Sequence, residues 1–234
     1  MRPVLTDQEV ADFRSDVCRV AEVLFARQGV AGVTMRQIAT ELGCSPTTAY
    51  RYFKSKQEIL AAVRAAAFNR FCGVIEEAKR SSPDARKSAH NVGHAYLGFA
   101  LENPDAYRMM FDVSEDAVTG DEGLIDAMAR ARRSMVEYLA PILDKDILHG
   151  ELQALGQMLW AGAHGLVMLR LAGIIADDAE LRQLHERTMS AIVRGANPVA
   201  NGNPISSIPK LASPSHARKA GRKTPPTPTS KRRP

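Results

Sequence analysis

One stretch of this sequence, TMRQIATELGCSPTTAYRYF at positions 34–53, decides the fold. Thr34 stands three residues before Gln37, which is the spacing of a capping box at the start of a helix. Gly43 permits a tight turn, and Ser45 followed by proline gives a second helix an N-cap and a favourable first residue. Two short helices joined by a glycine-containing turn are typical of a helix-turn-helix motif.

The second helix of this pair carries an uncommon mixture of side chains. Residues 45–56 include two tyrosines, a phenylalanine, two threonines and three basic residues. A buried helix would be more apolar, and a fully solvated helix would carry fewer aromatic residues. The mixture favours a helix that lies against a flat, polar and negatively charged surface, such as a DNA duplex. We expect Ala49 and Phe53 to face inward, against Ile38 and Leu42.

Helix signals dominate the remainder of the chain, and no segment alternates convincingly as a strand would. Capping residues or prolines precede apolar positions at helical spacing near Thr6, Ser55, Pro83 and Pro104. Beyond the two short helices, the sequence predicts helices at about 6–29, 55–75, 82–101, 103–111, 124–143, 152–175 and 177–195. The predicted fold class is therefore all-α.

The net charge of +5 is unevenly distributed along the 234 residues. Residues 196–234 hold eight basic side chains, eight prolines and no acidic residue, which leaves a net charge of −3 on residues 1–195. A segment of this composition cannot bury enough apolar surface to offset the entropy of ordering. We therefore expect a disordered basic tail at 196–234.

The cysteines and the apolar segments indicate a cytoplasmic protein. The three cysteines are scattered without C-x-x-C spacing, which is typical of reduced thiols. Acidic residues from Asp7 onward stand where a signal peptide would need an apolar stretch. Residues 155–176 are apolar, but Arg170 within them would cost about 2.5–3.5 kcal/mol in a bilayer. We expect a buried helix there and no membrane span.

A longer run, LFARQGVAGVTMRQIATELGCSPTTAYRYFKSKQEILAAV at 24–63, resembles the DNA-binding domain of the tetracycline-repressor (TetR) family. The matching positions are Phe25, Gly29, Thr34, Ile38, Ala39, Gly43, Ser45, Tyr50, Phe53, Lys56 and Leu60. A looser resemblance covers WAGAHG at 160–165, which is similar to the Trp-His-Gly stretch in the C-terminal domain of one subgroup. The resemblance implies an all-helical homodimer with an N-terminal DNA-binding domain and a C-terminal domain for ligand binding and dimerisation.

The resemblance also implies a function and a division into domains. Most members of the family repress transcription and release their operator when a small molecule binds. We accordingly expect a three-helix DNA-binding domain at 1–54, a larger ligand-binding and dimerisation domain at 55–195, and the tail. The expected partners are a double-stranded DNA operator, a small-molecule effector of unknown identity and a second copy of the chain.

Nine side chains in and around the motif are predicted to contact DNA. Short threonines can reach base edges, and Arg36 can bond guanine in a bidentate way. The tyrosines, Thr34 and Lys56 can donate to phosphate oxygens and so fix the register, while Arg51 could serve either role. The predicted DNA-binding residues are Thr34, Arg36, Pro46, Thr47, Thr48, Tyr50, Arg51, Tyr52 and Lys56.

A set of mainly apolar and aromatic residues lies on the helices that surround the ligand cavity in the resembled family. Each of them alone fits a plain core, but together they favour an apolar pocket with a few polar groups. The predicted pocket residues are Phe68, Phe71, Cys72, His94, Tyr96, Phe99, Tyr107, Met110, Met135 and Tyr138.

The last two predicted helices carry small and apolar residues that permit a close approach of helices. Because a helix-turn-helix protein that binds a two-fold site needs a dimer, we expect two helices from each subunit to form the interface. The predicted interface residues are Trp160, Gly162, Ala163, Leu166, Leu169, Met189 and Ile192.

Two other functions are weighed against this one. His90 and His94 have the i, i+4 spacing of metal ligands, but no third ligand is apparent, so neither a metal site, a cofactor nor an enzyme is expected. The second alternative is a DNA-binding protein without a ligand, whose basic tail compacts or bridges DNA. Binding to a defined palindrome would separate it from a regulator.

Overall fold

The computed structural model describes residues 6–111, 120–143 and 151–196. These residues form ten helices and no strand, so the predicted all-α class is confirmed. The helices are α1 Asp7–Gly32, α2 Met35–Glu41, α3 Pro46–Tyr52, α4 Lys56–Arg80, α5 Ala85–Glu102, α6 Pro104–Met110, α7 Glu122–Glu137, α8 Ala140–Leu143, α9 Leu152–Leu171 and α10 Asp178–Gly195. The predicted tail, apart from Ala196, lies outside the described residues.

The predicted capping boxes at the first two helices are present. At α1 the Thr6 side chain accepts from the Glu9 N–H, and the Glu9 carboxylate accepts from the Thr6 N–H at 2.7 Å. Thr34 and Gln37 make the same pair of bonds at α2. Gly29 interrupts α1 with φ 71°, a left-handed conformation that glycine adopts without a steric penalty.

Two long predicted helices are shorter in the structure. The helix predicted at 124–143 is divided into α7 and α8 at Tyr138 and Leu139, because Pro141 has no N–H to donate to the preceding turn and its ring crowds the chain there. The helix predicted at 152–175 ends at Leu171, where Gly173 adopts φ 75° and its N–H donates to the Arg170 carbonyl at 3.0 Å.

The helices enclose two hydrophobic cores, and α4 contributes to both. Its first turns place Ile59, Leu60 and Val63 in a core with α1, α2 and α3. Its later turns place residues such as Phe71 in the larger core with α5 to α10. The first core thus extends beyond the predicted boundary at residue 54, since α3 is too short to complete it. Within the described residues, no helix is long and apolar enough to cross a membrane.

Candidate nucleic-acid interface and internal cavity

Helix α3 is held by its inner side and presents its outer side to solvent. Ser45 caps it by accepting from the Thr48 N–H at 3.1 Å, while Ala49 and Phe53 are fully buried. These are the two residues predicted to face inward. The outer side carries Pro46, Thr47 and Arg51, which are exposed, and Tyr50, whose exposed fraction of 53% excludes a core role.

Four of the nine predicted DNA-binding side chains already have a partner in the protein. Thr34 and Thr48 take part in the caps of α2 and α3. The Tyr52 ring packs on Phe13 with centroids 4.2 Å apart, and Lys56 Nζ donates to the Val30 carbonyl at 2.7 Å. The ammonium of a lysine has three donors, so this bond leaves others available.

Arg14 on α1 holds the end of α3, which the sequence did not indicate. Its guanidinium donates to the Tyr52 carbonyl, lies 4.0 Å from the centroid of the Phe53 ring and pairs with Glu58 at 3.5 Å. The Glu58 carboxylate also accepts from the Lys54 N–H at 2.7 Å. This cluster fixes where α3 lies between α1 and α4.

A second feature is a cavity of about 580 Å³ that is lined by α5, α7, α8, α9 and α10 and is partly open to solvent. This volume is within the range of small-molecule sites. Its walls are formed by Arg86, Ala89, His90, Val92, Gly93, His94, Tyr96, Met135, Tyr138, Leu139, Ile142, Leu159, Ala163, His185, Glu186, Met189, Ser190 and Val193.

The structure divides the ten predicted pocket residues into two groups. Four line the cavity, namely His94, Tyr96, Met135 and Tyr138. The others pack within the core and are absent from the wall: Phe68, Phe71, Cys72, Phe99, Tyr107 and Met110. They face neighbouring helices, as the ring contact between Phe71 and Phe99 at 5.4 Å illustrates. Helical spacing shows that a residue faces inward, but not whether a neighbour or a void is opposite.

Histidines form the main polar feature of the cavity. The Nε2 atoms of His90 and His94 are 2.9 Å apart and hydrogen-bonded. His185 on α10 is only 8% exposed. Burial lowers its pKa to about 4, with a smaller effect from His94, so the ring is neutral near pH 7. Burial first, and then His90, lowers the pKa of His94. His185 was not among the residues predicted from the sequence.

A buried chain of hydrogen bonds connects the cavity wall to α6. The hydroxyl of Tyr96 lies 2.6 Å from that of Tyr107, which lies 2.8 Å from Nδ1 of His164. Burial raises the pKa of both tyrosines, so both remain neutral. The next residues of α6 reach the other core, where Met109 is buried.

The predicted dimer residues do not share one surface. Ala163 is 3% exposed and lines the cavity, and a Cβ on Gly162 would lie 3.1 Å from Ile192 Cδ1 of α10, so both residues face inward. Trp160, Leu166, Met189 and Ile192 are half-buried against the same core. Leu169 is 41% exposed. Small residues such as Gly162 and Ala163 also serve packing within one subunit, and the interface at the other five residues stays a prediction.

The outer face of α9 carries a different apolar row. Met158 and Met168 are exposed, and Ala161 and Gly165 lie between them at helical spacing. Together with Leu169 they form an outer α9 row that no described helix covers. On the described residues, no group of three His, Cys, Asp or Glu side chains is arranged to hold a metal ion.

These features define a class of protein: an all-helical DNA-binding regulator with an N-terminal helix-turn-helix and a larger helical domain around a cavity. Residues 18–63 match the model described as bacterial regulatory proteins, tetR family. Residues 89–192 match the model for the tetracyclin repressor-like C-terminal domain. The chain belongs to the TetR family. The predicted likeness to the Trp-His-Gly subgroup stays a prediction.

Solved structures and curated proteins give similar comparisons. A TetR-family regulator from Pectobacterium atrosepticum has a TM-score of 0.64 at 20% identity, over 82% of this chain and 97% of the other. SmeT, the repressor of a Stenotrophomonas maltophilia multidrug efflux pump, has a TM-score of 0.59 at 19% identity, over 78% and 89%. The nucleoid occlusion factor SlmA of Haemophilus influenzae is 26% identical over 109 residues, which are 46% of this chain. The chain spans about half the length of these curated relatives.

The family membership fixes the general activity. Members are non-enzymatic DNA-binding transcription regulators that usually act as dimers with small-molecule effectors. The prediction of a DNA-binding transcriptional regulator is therefore confirmed at that level.

Proposed function

We propose that this protein is a dimeric repressor that binds a palindromic operator through α2 and α3 and releases it when a small molecule fills the cavity. The observation that carries the DNA-binding part is the orientation of α3. Its inner residues Ala49 and Phe53 are fully buried, while Pro46, Thr47 and Arg51 are exposed along its outer side. A helix anchored in this way can enter the major groove.

The roles of the outer side chains follow from their chemistry. Arg36, exposed at the start of α2, and Thr47 on α3 contact base edges. Tyr50 and Arg51 donate to phosphates, which fixes the register without reading sequence. Lys56 contributes by its remaining donors while its bond to Val30 holds the start of α4.

The dimer forms through the outer α9 row. Exposed methionines in a line are apolar surface that association removes from water, and Met158 and Met168 are exposed by 51% and 39%. A second copy related by two-fold symmetry presents the same row, so the two α9 helices can pack together. The dimer then holds two α3 helices for the two halves of a palindrome.

Helix α6 couples the cavity to the DNA-binding core. Tyr107 bonds to Tyr96 on the cavity wall, and Met109 lies in the core with α1 to α3. Arg64 on α4 donates to the Met110 carbonyl at 3.1 Å. A ligand that moves Tyr96 therefore acts on α4 through α6, and α4 begins directly after α3.

A binding selection from random duplexes tests the DNA-binding proposal. The full chain should enrich a palindrome, and Thr47→Ala should change the preferred bases without changing dimerisation. Enrichment of no common sequence would contradict it and favour the second candidate, a DNA-binding protein that needs no operator or ligand. SlmA, which resembles part of this chain, is described as a nucleoid occlusion factor, so this second candidate is kept.

A small-molecule screen tests release. Compounds are scored by loss of operator binding, and Ala163→Leu, which replaces a methyl with an isobutyl group at the cavity wall, serves as the blocked variant. The proposal requires compounds that release the unmodified protein and leave the blocked variant on DNA. Equal release of both proteins would place the effector elsewhere.

A further inference from the structure

We infer that the cavity takes an amphipathic organic anion, whose carboxylate is bound by His185 and Arg86 and whose apolar body lies against α7, α8 and α9. This inference rests on the proposed function, in which the cavity is the effector site. It names the chemical class of the effector, which the family membership does not.

The strongest observation is that His185 lies in the cavity wall with no hydrogen-bond partner among the described residues. The ring is 8% exposed and lines the cavity, and among the described residues no atom accepts from it or donates to it. The ring nitrogens are not among the fully buried unpaired atoms of the described residues, so they are accessible from the cavity. A mostly buried polar side chain is stabilised by a hydrogen-bond partner, and a molecule in the cavity can supply one to His185.

The ring is also held in place by its surroundings. A Cβ on Gly93 of α5 would lie 2.9 Å from Cε1 of His185, closer than real Cβ atoms approach. Glycine at this position thus lets the imidazole lie directly against α5, next to the bonded pair of His90 and His94. Because the backbone of α5 limits where the ring can lie, His185 has a defined position in the cavity wall.

Two arginines at the cavity favour an anion, and they must outweigh Glu186, the one carboxylate that affects the pKa of His185. Helix α5 contributes Arg86, His90 and His94, and α10 contributes Arg182, which lies near His94, and Glu186. Arg86 and Arg182 have no ion-pair partner in the described part of the chain, and Glu186 is the sole carboxylate among the wall residues. A neutral imidazole offers one N–H donor, and a guanidinium can bind both oxygens of a carboxylate.

The polarity of the wall is segregated, which requires an amphipathic ligand. All the charged and imidazole side chains of the wall come from α5 and α10. Helices α7, α8 and α9 contribute apolar or aromatic residues, such as Met135, Ile142 and Leu159. A ligand polar at all ends would leave its groups unpaired against this second side. One anionic end and an apolar body match both sides.

Calorimetric titration with three probes of equal chain length tests the inference on the full chain near pH 7. We expect decanoate to bind at least tenfold more tightly than decanol or decylamine. His185→Leu keeps a similar volume and should reduce the preference for decanoate over decanol to less than threefold. Gln183→Leu is the matched control, because Gln183 lies on the same helix but is exposed and absent from the wall, and it should retain the preference.

A second variant tests the inference without replacing a buried residue, in case His185→Leu does not fold. Arg86 is exposed, so Arg86→Gln should fold, weaken decanoate several-fold and leave decanol unchanged. Equal or tighter binding of decanol or decylamine, or a preference that survives in both variants, would overturn the inference.

Operator binding, measured in parallel without any probe, separates the two proposals. If the protein selects an operator but binds decanol as tightly as decanoate, the inferred recognition of a carboxylate is wrong and the proposed regulator function is retained. Absence of decanoate binding also refutes the inferred recognition of a carboxylate. Failure to select any operator refutes the proposed function instead.

Discussion

The unpaired histidine gives the protein a predictable dependence of stability on pH. Burial lowers the pKa of His185 to about 4, whereas in the unfolded chain it returns to about 6.5. As the pH falls below about 6.5, the unfolded chain therefore binds a proton that the native protein excludes until about pH 4. The native state loses stability across this window, by about 2 kcal/mol at pH 5 from this group alone.

Urea unfolding at pH 7.5 and pH 5, at one protein concentration, measures this loss. His185→Leu removes the titrating ring, so the difference in unfolding free energy between the two pH values should shrink by about 2 kcal/mol. Other groups that titrate in the same window, such as His94, act in both proteins and largely cancel. An identical pH dependence in the two proteins would show that His185 is accessible to protons in the native state and would refute the reasoning.

Three further predictions concern DNA and assembly. Arg36→Ala should cost about 1–3 kcal/mol per half-site and relax one base preference; an unchanged sequence in a binding selection would contradict base reading. Met168→Glu should dissociate the dimer in equilibrium sedimentation, whereas Met128→Glu, at an exposed methionine of α7, should not; an intact Met168→Glu dimer would rule out the outer α9 row. Removal of 196–234 should leave the operator sequence unchanged and flatten the plot of log affinity against log salt by about 0.9 per lost phosphate contact; equal slopes would mean that the tail does not touch DNA.

The N-terminal helices were predictable because their signals are local. The capping residues of α2 and α3 lie three positions from the N–H groups they satisfy, so a short window of sequence contains both partners. The inward orientation of Ala49 and Phe53 followed from the same short window. Arg14 could not be found in this way, because its contacts with the end of α3 span 38 positions.

The existence of a cavity was predictable from the sequence, but the residues that line it were not. Periodicity identifies the apolar side of a helix, yet Phe71 and Met135 both lie on such sides and only Met135 faces the void. That difference depends on the packing of five helices. His185 did leave a signal: it follows the buried Leu181 by four residues, which puts a polar ring on the inner side of α10. Gly162 and Ala163, predicted at the dimer surface, face inward for the related reason that small residues on α9 serve packing within one subunit.

The position of α4 explains how a cavity in one core can control a helix anchored in the other. Because Leu60 and Phe71 of the same helix belong to different cores, a tilt of α4 cannot occur in one core alone. Helix α6 is tied to both neighbours: Arg64 of α4 donates to the Met110 carbonyl, and Arg108 donates to the Leu171 carbonyl of α9 at 2.9 Å. Since packed cores resist continuous deformation, a ligand that changes the cavity wall favours one discrete arrangement of α4 over another. In the proposed dimeric repressor, each arrangement would set a different distance between the two α3 helices, and an operator with fixed half-site spacing would bind only one of them.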